Sequence, residues 1–260
     1  MNAQWDGSGE MRAVTISRQY GSGGGEIGAR LARKLGWQLV DHEIVARVAG
    51  ELRIAEAEAY LRDEHADSFF ERMWGAMRLG APEGPIIDAS LLPINEERVY
   101  HEALCRVVEA AARAGQAVII GRGAQAVLKG WRDVLHVRVV APPEQRLAYV
   151  MRREGLDAEQ AQRRMRMKDR DRVRYMQSLH HCGADDPMYY DLIINTGVLD
   201  LDGAVDLISV ALERKSRRLA TPDEELGPGA GIARYPGTPG DLRRQSSASG
   251  VHARPVDTPT

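Results

Sequence analysis

The stretch SRQYGSGGGEIG, residues 17–28, links a short apolar run to a segment with helical spacing and contains five glycines. Glycine lets the backbone curl until successive N–H groups point at one anion, and a helix amino terminus adds a favourable dipole. A plain tight turn would also use glycines, but the strand–loop–helix setting favours a phosphate site. The candidate residues of this site are Gly21, Ser22, Gly23, Gly24, Gly25 and Glu26.

The loop departs from the common pattern GxxxxGK[ST], in which a Lys neutralises the β- and γ-phosphates and a hydroxyl binds magnesium. Aligned on its last glycines, the loop has Gly24 where the Lys belongs and Gly25 or Glu26 near the position of the hydroxyl. Arg18 is the nearest cation in sequence. We therefore expect Arg18 to neutralise the phosphates, because a guanidinium can bridge phosphate oxygens.

Outside this loop, short apolar runs alternate with segments of helical spacing, as in strands covered on both faces of a parallel sheet. The runs lie at residues 13–17, 38–40, 117–120, 134–140 and 191–195. The helical segments lie at 26–35, 97–114 and 201–215, and a further helix begins at Asp157, with Gln160 completing a capping box. The alternation predicts a three-layer α/β fold with a five-stranded parallel sheet.

Composition sets the expected domain bounds. Residues 216–260 are rich in Pro, Gly, Ser and Thr and poor in large apolar residues, so we expect a disordered tail; residues 1–11 are expected to be disordered too. The folded domain then spans 12–215. Within it, residues 50–95 read as an inserted helical subdomain broken by Gly and Pro, and residues 156–180 as a charged helical arm.

Charge and cysteine content exclude several classes of protein. The 35 basic and 37 acidic residues give a net charge of -2, which provides no general attraction to nucleic acid or an anionic membrane. No apolar run approaches the roughly 20 residues of a membrane span, so we expect a cytoplasmic protein. Cys105 and Cys182 lie far apart, and the cluster around His180 lacks the paired spacings of a zinc site, so no metal site is predicted.

Four ordered pieces of the chain resemble the cytidylate kinase-like proteins among the P-loop nucleoside monophosphate kinases. The pieces are VTISRQYGSGGGEIGARLARKLGWQLVDHEIV (14–45), VIIGRGAQAVL (118–128), KDRDRVRYM (168–176) and DPMYYDLIINTGVLDLDGAVDLI (186–208). The resemblance implies a kinase that uses ATP and Mg²⁺, with CMP, dCMP or a related monophosphate as acceptor. It also implies a helical insertion that binds the acceptor and an arginine-rich lid that closes over both nucleotides.

The resemblance assigns acceptor binding to the segment after the second strand. Arg47 would hold the acceptor phosphate, and Asp41 and His42 would lie near the base; His42 fits equally well a loop residue with no role. After the third strand the family carries an acid and then Gly-Arg-Asp, whereas this chain has IIGRG, residues 119–123. Magnesium handling there is left open, and Arg122 is a candidate ligand for phosphate or pyrimidine.

The lid piece provides further catalytic candidates. Arg170 and Arg174 are four residues apart and share a helix face with Asp171 beside them, so two guanidinium groups can converge on one anion. A solvated charged face is the alternative. The resemblance favours the catalytic role. It also implies that Asn195 and Thr196 hold adenine, although two short polar residues at this place would be explained equally well by a turn at the end of the strand.

Two other hypotheses remain open on the sequence. The missing Lys and missing acids favour a nucleotide-binding module without turnover. The stretch RRQSSAS, residues 243–249, would suit a phosphorylated tail that docks a partner while the folded domain serves as an anchor. The acceptor base and sugar and the oligomeric state are not determined by the sequence.

Overall fold

The computed structural model describes residues 11–41, 94–121 and 123–228, with the backbone alone for 94–100. Nearly all of the insertion expected at 50–95 lies outside these residues. So do three of the predicted site residues, His42, Arg47 and Arg122. The chain divides into two compact units, Met1–Ala220 and Thr221–Thr260, and the second contributes a single described turn of 3₁₀ helix, Asp223–Glu225.

Five parallel strands form one sheet in the order β2-β3-β1-β4-β5. They are β1 (Ala13–Arg18), β2 (Gln38–Val40), β3 (Ala117–Ile120), β4 (Val134–Val140) and β5 (Leu192–Asn195). The chain fills one side of β1 with β2 and β3 before it crosses to the other side. The carboxyl end of β1 therefore lies where the strand order reverses, which is where open α/β sheets bind ligands.

Helices cover both faces of the sheet, so the predicted α/β layers are confirmed. The helices are α1 (Gly24–Leu35), α2 (Ile94–Ala114), α3 (Ala124–Val127), α4 (Pro143–Glu154), α5 (Ala158–His180) and α6 (Leu201–Ser216). Two of the helix ends carry the capping residues predicted from the sequence. Gly36 ends α1 with φ 67°, and the Asp157 side chain at the start of α5 accepts a hydrogen bond from the Gln160 N–H at 2.8 Å.

The core follows from the alternation of side chains along the strands. Along β1, Val14 and Ile16 face α1 and α6, while Ala13 lies in the cluster formed with α2 and α3. A third, smaller cluster fills the α4–α5 hairpin and includes the ring of Tyr20 from the glycine-rich loop. This last contact brings the loop and the lid helix α5 together.

The packed domain extends past its expected bounds at both ends. Met11, expected to be disordered, is 2% exposed and belongs to the core. At the other end α6 runs to Ser216, and Leu219 packs against the same cluster. Both corrections have one cause, since single apolar side chains at the margin of a polar segment can still reach the core. Among the described helices, none is long and apolar enough to cross a membrane.

Acid should destabilise the fold through His136, a buried residue of β4 whose Nδ1 lies 2.8 Å from the Thr15 hydroxyl. Burial lowers its pKa from 6.5 to about 4, so the ring stays neutral in the folded protein while the unfolded ring takes up a proton below about pH 6.5. The free energy of unfolding therefore falls as the pH drops from 6.5 towards 4, by roughly 2 kcal/mol between about pH 7 and about pH 5. Urea titrations at both pH values should show a smaller loss of unfolding free energy in the double variant Thr15→Val/His136→Leu than in the wild type. The double variant removes the imidazole ring together with the hydroxyl that it contacts. Equal losses in the two proteins would contradict this assignment.

Candidate functional site

The glycine-rich loop runs from the carboxyl end of β1 into α1. Gly21 and Gly23 have φ of +80° and +79°, a left-handed backbone that favours glycine. These two turns leave a run of unused backbone donors, the N–H groups of Gly21 and of residues 23–26. None of these groups has an acceptor among the described residues. Unpaired N–H groups at the amino terminus of a twelve-residue helix form an anion-binding surface.

Close packing also requires glycine in this loop. A Cβ atom at position 21 would lie 2.8 Å from the carbonyl oxygen of Arg146 on α4, and one at position 23 would lie 2.6 Å from Cδ2 of Leu201 on α6. Gly25 is different, because a Cβ there would meet nothing within 4 Å. The loop is therefore held between α4 and α6 at its first two glycines and open to solvent at Gly25.

Arg18 lies across the position where a lysine would be expected. A Cβ at position 24 would come within 2.7 Å of the Arg18 Cβ and 3.5 Å of the Val139 Cβ. The Arg18 guanidinium reaches the end of β3, where it lies so close to Gly121 that a Cβ at position 121 would collide with Arg18 Nη1. The arginine therefore spans the space between the phosphate loop and the third strand.

The hydroxyl groups near the loop have structural partners. Ser22 is buried, and its Oγ donates to the carbonyl oxygens of Gln19 at 2.9 Å and of Val139 at 3.1 Å. Thr196 Oγ1 donates to the Ser22 carbonyl at 2.9 Å, which joins the exit of β5 to the loop. These bonds hold the curl of the loop in place.

The lid helix α5 contacts the loop through residues that the sequence analysis did not select. Asp169 Oδ1 accepts the Tyr20 N–H at 2.8 Å, and Asp169 Oδ2 pairs with Arg146 of α4 at 2.5 Å. Arg172 Nη1 donates to the Arg18 carbonyl at 3.3 Å. Burial lowers the pKa of Arg172, with Asp169 opposing that shift.

The sequence as a whole can be assigned to a known protein family. A sequence profile of the cytidylate kinase-like family matches residues 13–198. The chain belongs to the cytidylate kinase-like family. Its five-stranded parallel sheet, layered by helices and opened by a glycine-rich loop after β1, is the α/β fold of P-loop kinases, as predicted.

Three individual relatives share at most 27% sequence identity with this chain. The chain is 27% identical over 205 residues to the cytidylate kinase of Archaeoglobus fulgidus, covering 78% of this chain and 95% of that protein. It is also 27% identical over 154 residues to a uronate isomerase of Corynebacterium glutamicum, covering 59% of this chain but only 29% of the isomerase. A solved structure of an uncharacterized protein from Eubacterium ventriosum shares the fold, with a TM-score of 0.57 and 20% identity over 78% of this chain and 98% of that one.

The lid residues predicted from the sequence do not lie on the face of α5 that contacts the loop. Arg170, Asp171 and Arg174 are exposed. At 3.6 residues per turn, Arg170 and Arg174 lie on the far side of the helix from Asp169 and Arg172. The structure therefore does not bring the predicted lid arginines to the phosphate loop, and their catalytic role stays a prediction.

A sequence signal for the missed residues exists. The buried side chains of α5, Ala161, Met165 and Met176, form a stripe at helical spacing, and Asp169 and Arg172 continue the same stripe. Charged residues that interrupt an apolar stripe must find partners in the structure that the helix packs against.

Arg138 is a second missed residue, a buried cation on β4. Its Nη1 donates to Ser17 Oγ at 3.0 Å, its Nη2 pairs with Asp185, and its Cζ lies 5.6 Å from the centre of the Tyr190 ring. The Tyr190 hydroxyl donates to the Ala184 carbonyl at 2.7 Å. Arg138 thereby ties the segment that follows α5 to the carboxyl end of β1.

The remaining predicted residues are placed as follows. The Glu26 carboxylate pairs with Arg30 at 3.1 Å and with Arg153 at 3.6 Å. Asn195 Oδ1 accepts the Gly197 N–H at 2.9 Å, which is the geometry of a strand-end turn. Asp41 follows β2 directly.

His180, the last residue of α5, packs against two other rings. The His180 ring contacts the rings of His101 and Tyr175 edge to face, with centroid distances of 4.8 and 5.5 Å. Asp186 caps the short 3₁₀ helix Pro187–Tyr189 through the Met188 N–H at 3.0 Å. Within residues 11–41, 94–121 and 123–228, no three His, Cys, Asp or Glu side chains form a group that could hold a metal ion.

Proposed function

We propose that the protein is a nucleoside monophosphate kinase that transfers the γ-phosphoryl group of ATP to CMP, dCMP or a related monophosphate. One observation carries the proposal. The loop after β1 offers a run of backbone N–H groups, unpaired among the described residues, at a helix amino terminus, and the stem of Arg18 packs against Gly24, the position at which an ordinary loop has its lysine. Membership of the cytidylate kinase-like family supports the choice of acceptor.

Donor binding is proposed to rest on the loop. The N–H groups of Gly21, Gly23, Gly24, Gly25 and Glu26 would cradle the phosphate chain, while Ser22 holds the curl from inside. Arg18 would neutralise the β- and γ-phosphates, and Asn195 and Thr196 would border the adenine. Mg²⁺ would enter with the ATP phosphates and neutralise charge there; the described residues offer it no cluster of carboxylates.

Acceptor binding and transfer are proposed to depend on arginines around the carboxyl ends of the strands. Arg47 would hold the acceptor phosphate near Asp41 and His42, and Arg122 would approach from the end of β3. Arg170 and Arg174, oriented by Asp171, would reach the transferred group after α5 changes its position. Phosphoryl transfer needs little covalent help, since in-line positioning and charge neutralisation lower the barrier.

A nucleotide panel tests the proposal. ATP with Mg²⁺ and a pyrimidine monophosphate should each raise the melting temperature, because a ligand that binds only the folded state stabilises it. A coupled assay for ADP should then show multiple turnovers with CMP or dCMP and fewer with UMP, AMP, GMP or shikimate. Absence of both a thermal shift and turnover with every nucleotide at millimolar concentration would overturn the proposal.

The second candidate function is a nucleotide-binding module without turnover. It is favoured by the absence of a lysine at position 24 and by Ile120 and Gly123, which replace the two acids expected around the end of the third strand. Tight nucleotide binding without any diphosphate product in the same panel would select this candidate. Deletion of residues 221–260 completes the panel, because unchanged nucleotide binding, turnover and partners would exclude a working role for the tail.

A further inference from the structure

Among the described residues, the polar partners of Tyr20 all come from the hairpin of α4 and α5. Its N–H donates to Asp169 at 2.8 Å, and its carbonyl accepts from Arg146 Nη1 at 3.1 Å. The Arg172 guanidinium lies over its ring at 5.4 Å, and its hydroxyl donates to Glu154 Oε1 at 2.5 Å. All four partners belong to α4 or α5, so the residue next to Gly21 takes its orientation from the lid.

The peptide plane converts this contact into control of the cradle. The Tyr20 carbonyl and the Gly21 N–H belong to one planar trans peptide and point in opposite directions. A donor that holds the Tyr20 carbonyl on the side of α4 therefore aims the Gly21 N–H away from it. Asp169 holds the peptide group between Gln19 and Tyr20 through the Tyr20 N–H. Arg172 holds the peptide group between Arg18 and Gln19 through the Arg18 carbonyl.

Asp169 connects these holding groups to one another. Its carboxylate pairs with Arg146 at 2.5 Å and with Arg172 at 3.4 Å while it accepts the Tyr20 N–H. The apolar contacts of Val150, Ala161 and Met165 already pack α4 against α5. A partly buried ion cluster adds little to such packing, because desolvation offsets the attraction, but it does select one geometry.

We propose that Asp169 is a positioning residue that holds the phosphate loop in its anion-binding shape from the lid helix and so couples donor affinity to the position of the lid. The inference rests on the proposed function for the identity of the donor. Both carboxylate oxygens of Asp169 are already paired with protein groups. It acts through the Tyr20 and Gly21 peptides, and displacement of α5 releases the loop.

Three variants test the proposal. Asp169→Ala removes the acceptor and both ion pairs, whereas Asp169→Asn keeps an oxygen for the Tyr20 N–H and loses the charge. Lys168→Ala is the matched control, an exposed neighbour on the same helix turn. Amide hydrogen exchange reports the loop without any nucleotide, and titration with Mg–ATP reports donor affinity.

In Asp169→Ala, exchange at the Tyr20 amide should speed up about tenfold or more because the variant removes its acceptor, and the Kd for ATP should rise about tenfold. Asp169→Asn should fall between Asp169→Ala and the wild type, and Lys168→Ala should match the wild type. Unchanged exchange would overturn the holding role. Faster exchange with an unchanged Kd would overturn the coupling to donor affinity, leaving a purely structural contact. If the wild-type protein binds no ATP, the proposed function fails with the coupling, and exchange still decides whether Asp169 holds the loop.

Discussion

Arg18→Ala is expected to lower turnover by about 10²- to 10³-fold, the usual effect of removing one group that neutralises charge in the transition state. The stem of Arg18 packs against Gly24 in the loop, and its guanidinium lies beside Gly121 at the end of β3. Its side chain is only partly buried, so the melting temperature should change far less than turnover. Steady-state kinetics and thermal denaturation of the same preparation measure the two effects.

A lysine at position 24 is not expected to restore activity. A Cβ there lies 2.7 Å from the Arg18 Cβ, and alanine at position 18 retains that atom, so the clash persists in Arg18→Ala/Gly24→Lys. The double variant Arg18→Gly/Gly24→Lys lacks the Cβ at position 18 and so removes this clash, which makes it the matched comparison for Arg18→Ala/Gly24→Lys. Near-normal turnover of Arg18→Ala would contradict the assignment and would move the role to Arg122 or a lid arginine.

Gly21→Ala should lower the melting temperature and the affinity for ATP together. The left-handed backbone at φ +80° costs an alanine about 1–2 kcal/mol. Its Cβ would also lie 2.8 Å from the Arg146 carbonyl oxygen and 2.9 Å from Val150 Cγ2. Backbone cannot rotate out of the way as a side chain can, so we expect a total loss of about 2–4 kcal/mol in the free energy of unfolding.

Gly25→Ala is the control for this prediction. A Cβ at position 25 meets nothing within 4 Å, and alanine is favoured over glycine within a helix. This variant should therefore melt at or slightly above the wild-type temperature. Chemical denaturation and isothermal titration of both variants provide the comparison. Similar stabilities for Gly21→Ala and Gly25→Ala would mean that the loop adapts to a side chain.

The strands and helix ends could be predicted because their signals are local. The apolar run 134–140 coincides with β4, and the runs at 13–17 and 191–195 differ from β1 and β5 by one residue. A run covered on both faces needs apolar residues throughout, whichever elements cover it. Gly36 and Asp157 likewise act within one turn of their helices. The packed ends at Met11 and Leu219 depend on distant core contacts, which composition does not record.

The sequence by itself determined the alternation of elements, the glycine-rich loop after the first strand and the absence of its lysine, since each is a property of neighbouring residues. The apolar stripe of α5 indicates its buried face, but only the tertiary structure decided that this face meets the loop. Arg170 and Arg172 are two residues apart in the same basic segment, yet Arg172 contacts the Arg18 carbonyl and Arg170 is exposed. Helical spacing gives the angle between two side chains, whereas the helix's rotation about its axis is set by packing of Ala161, Met165 and Met176 on other elements.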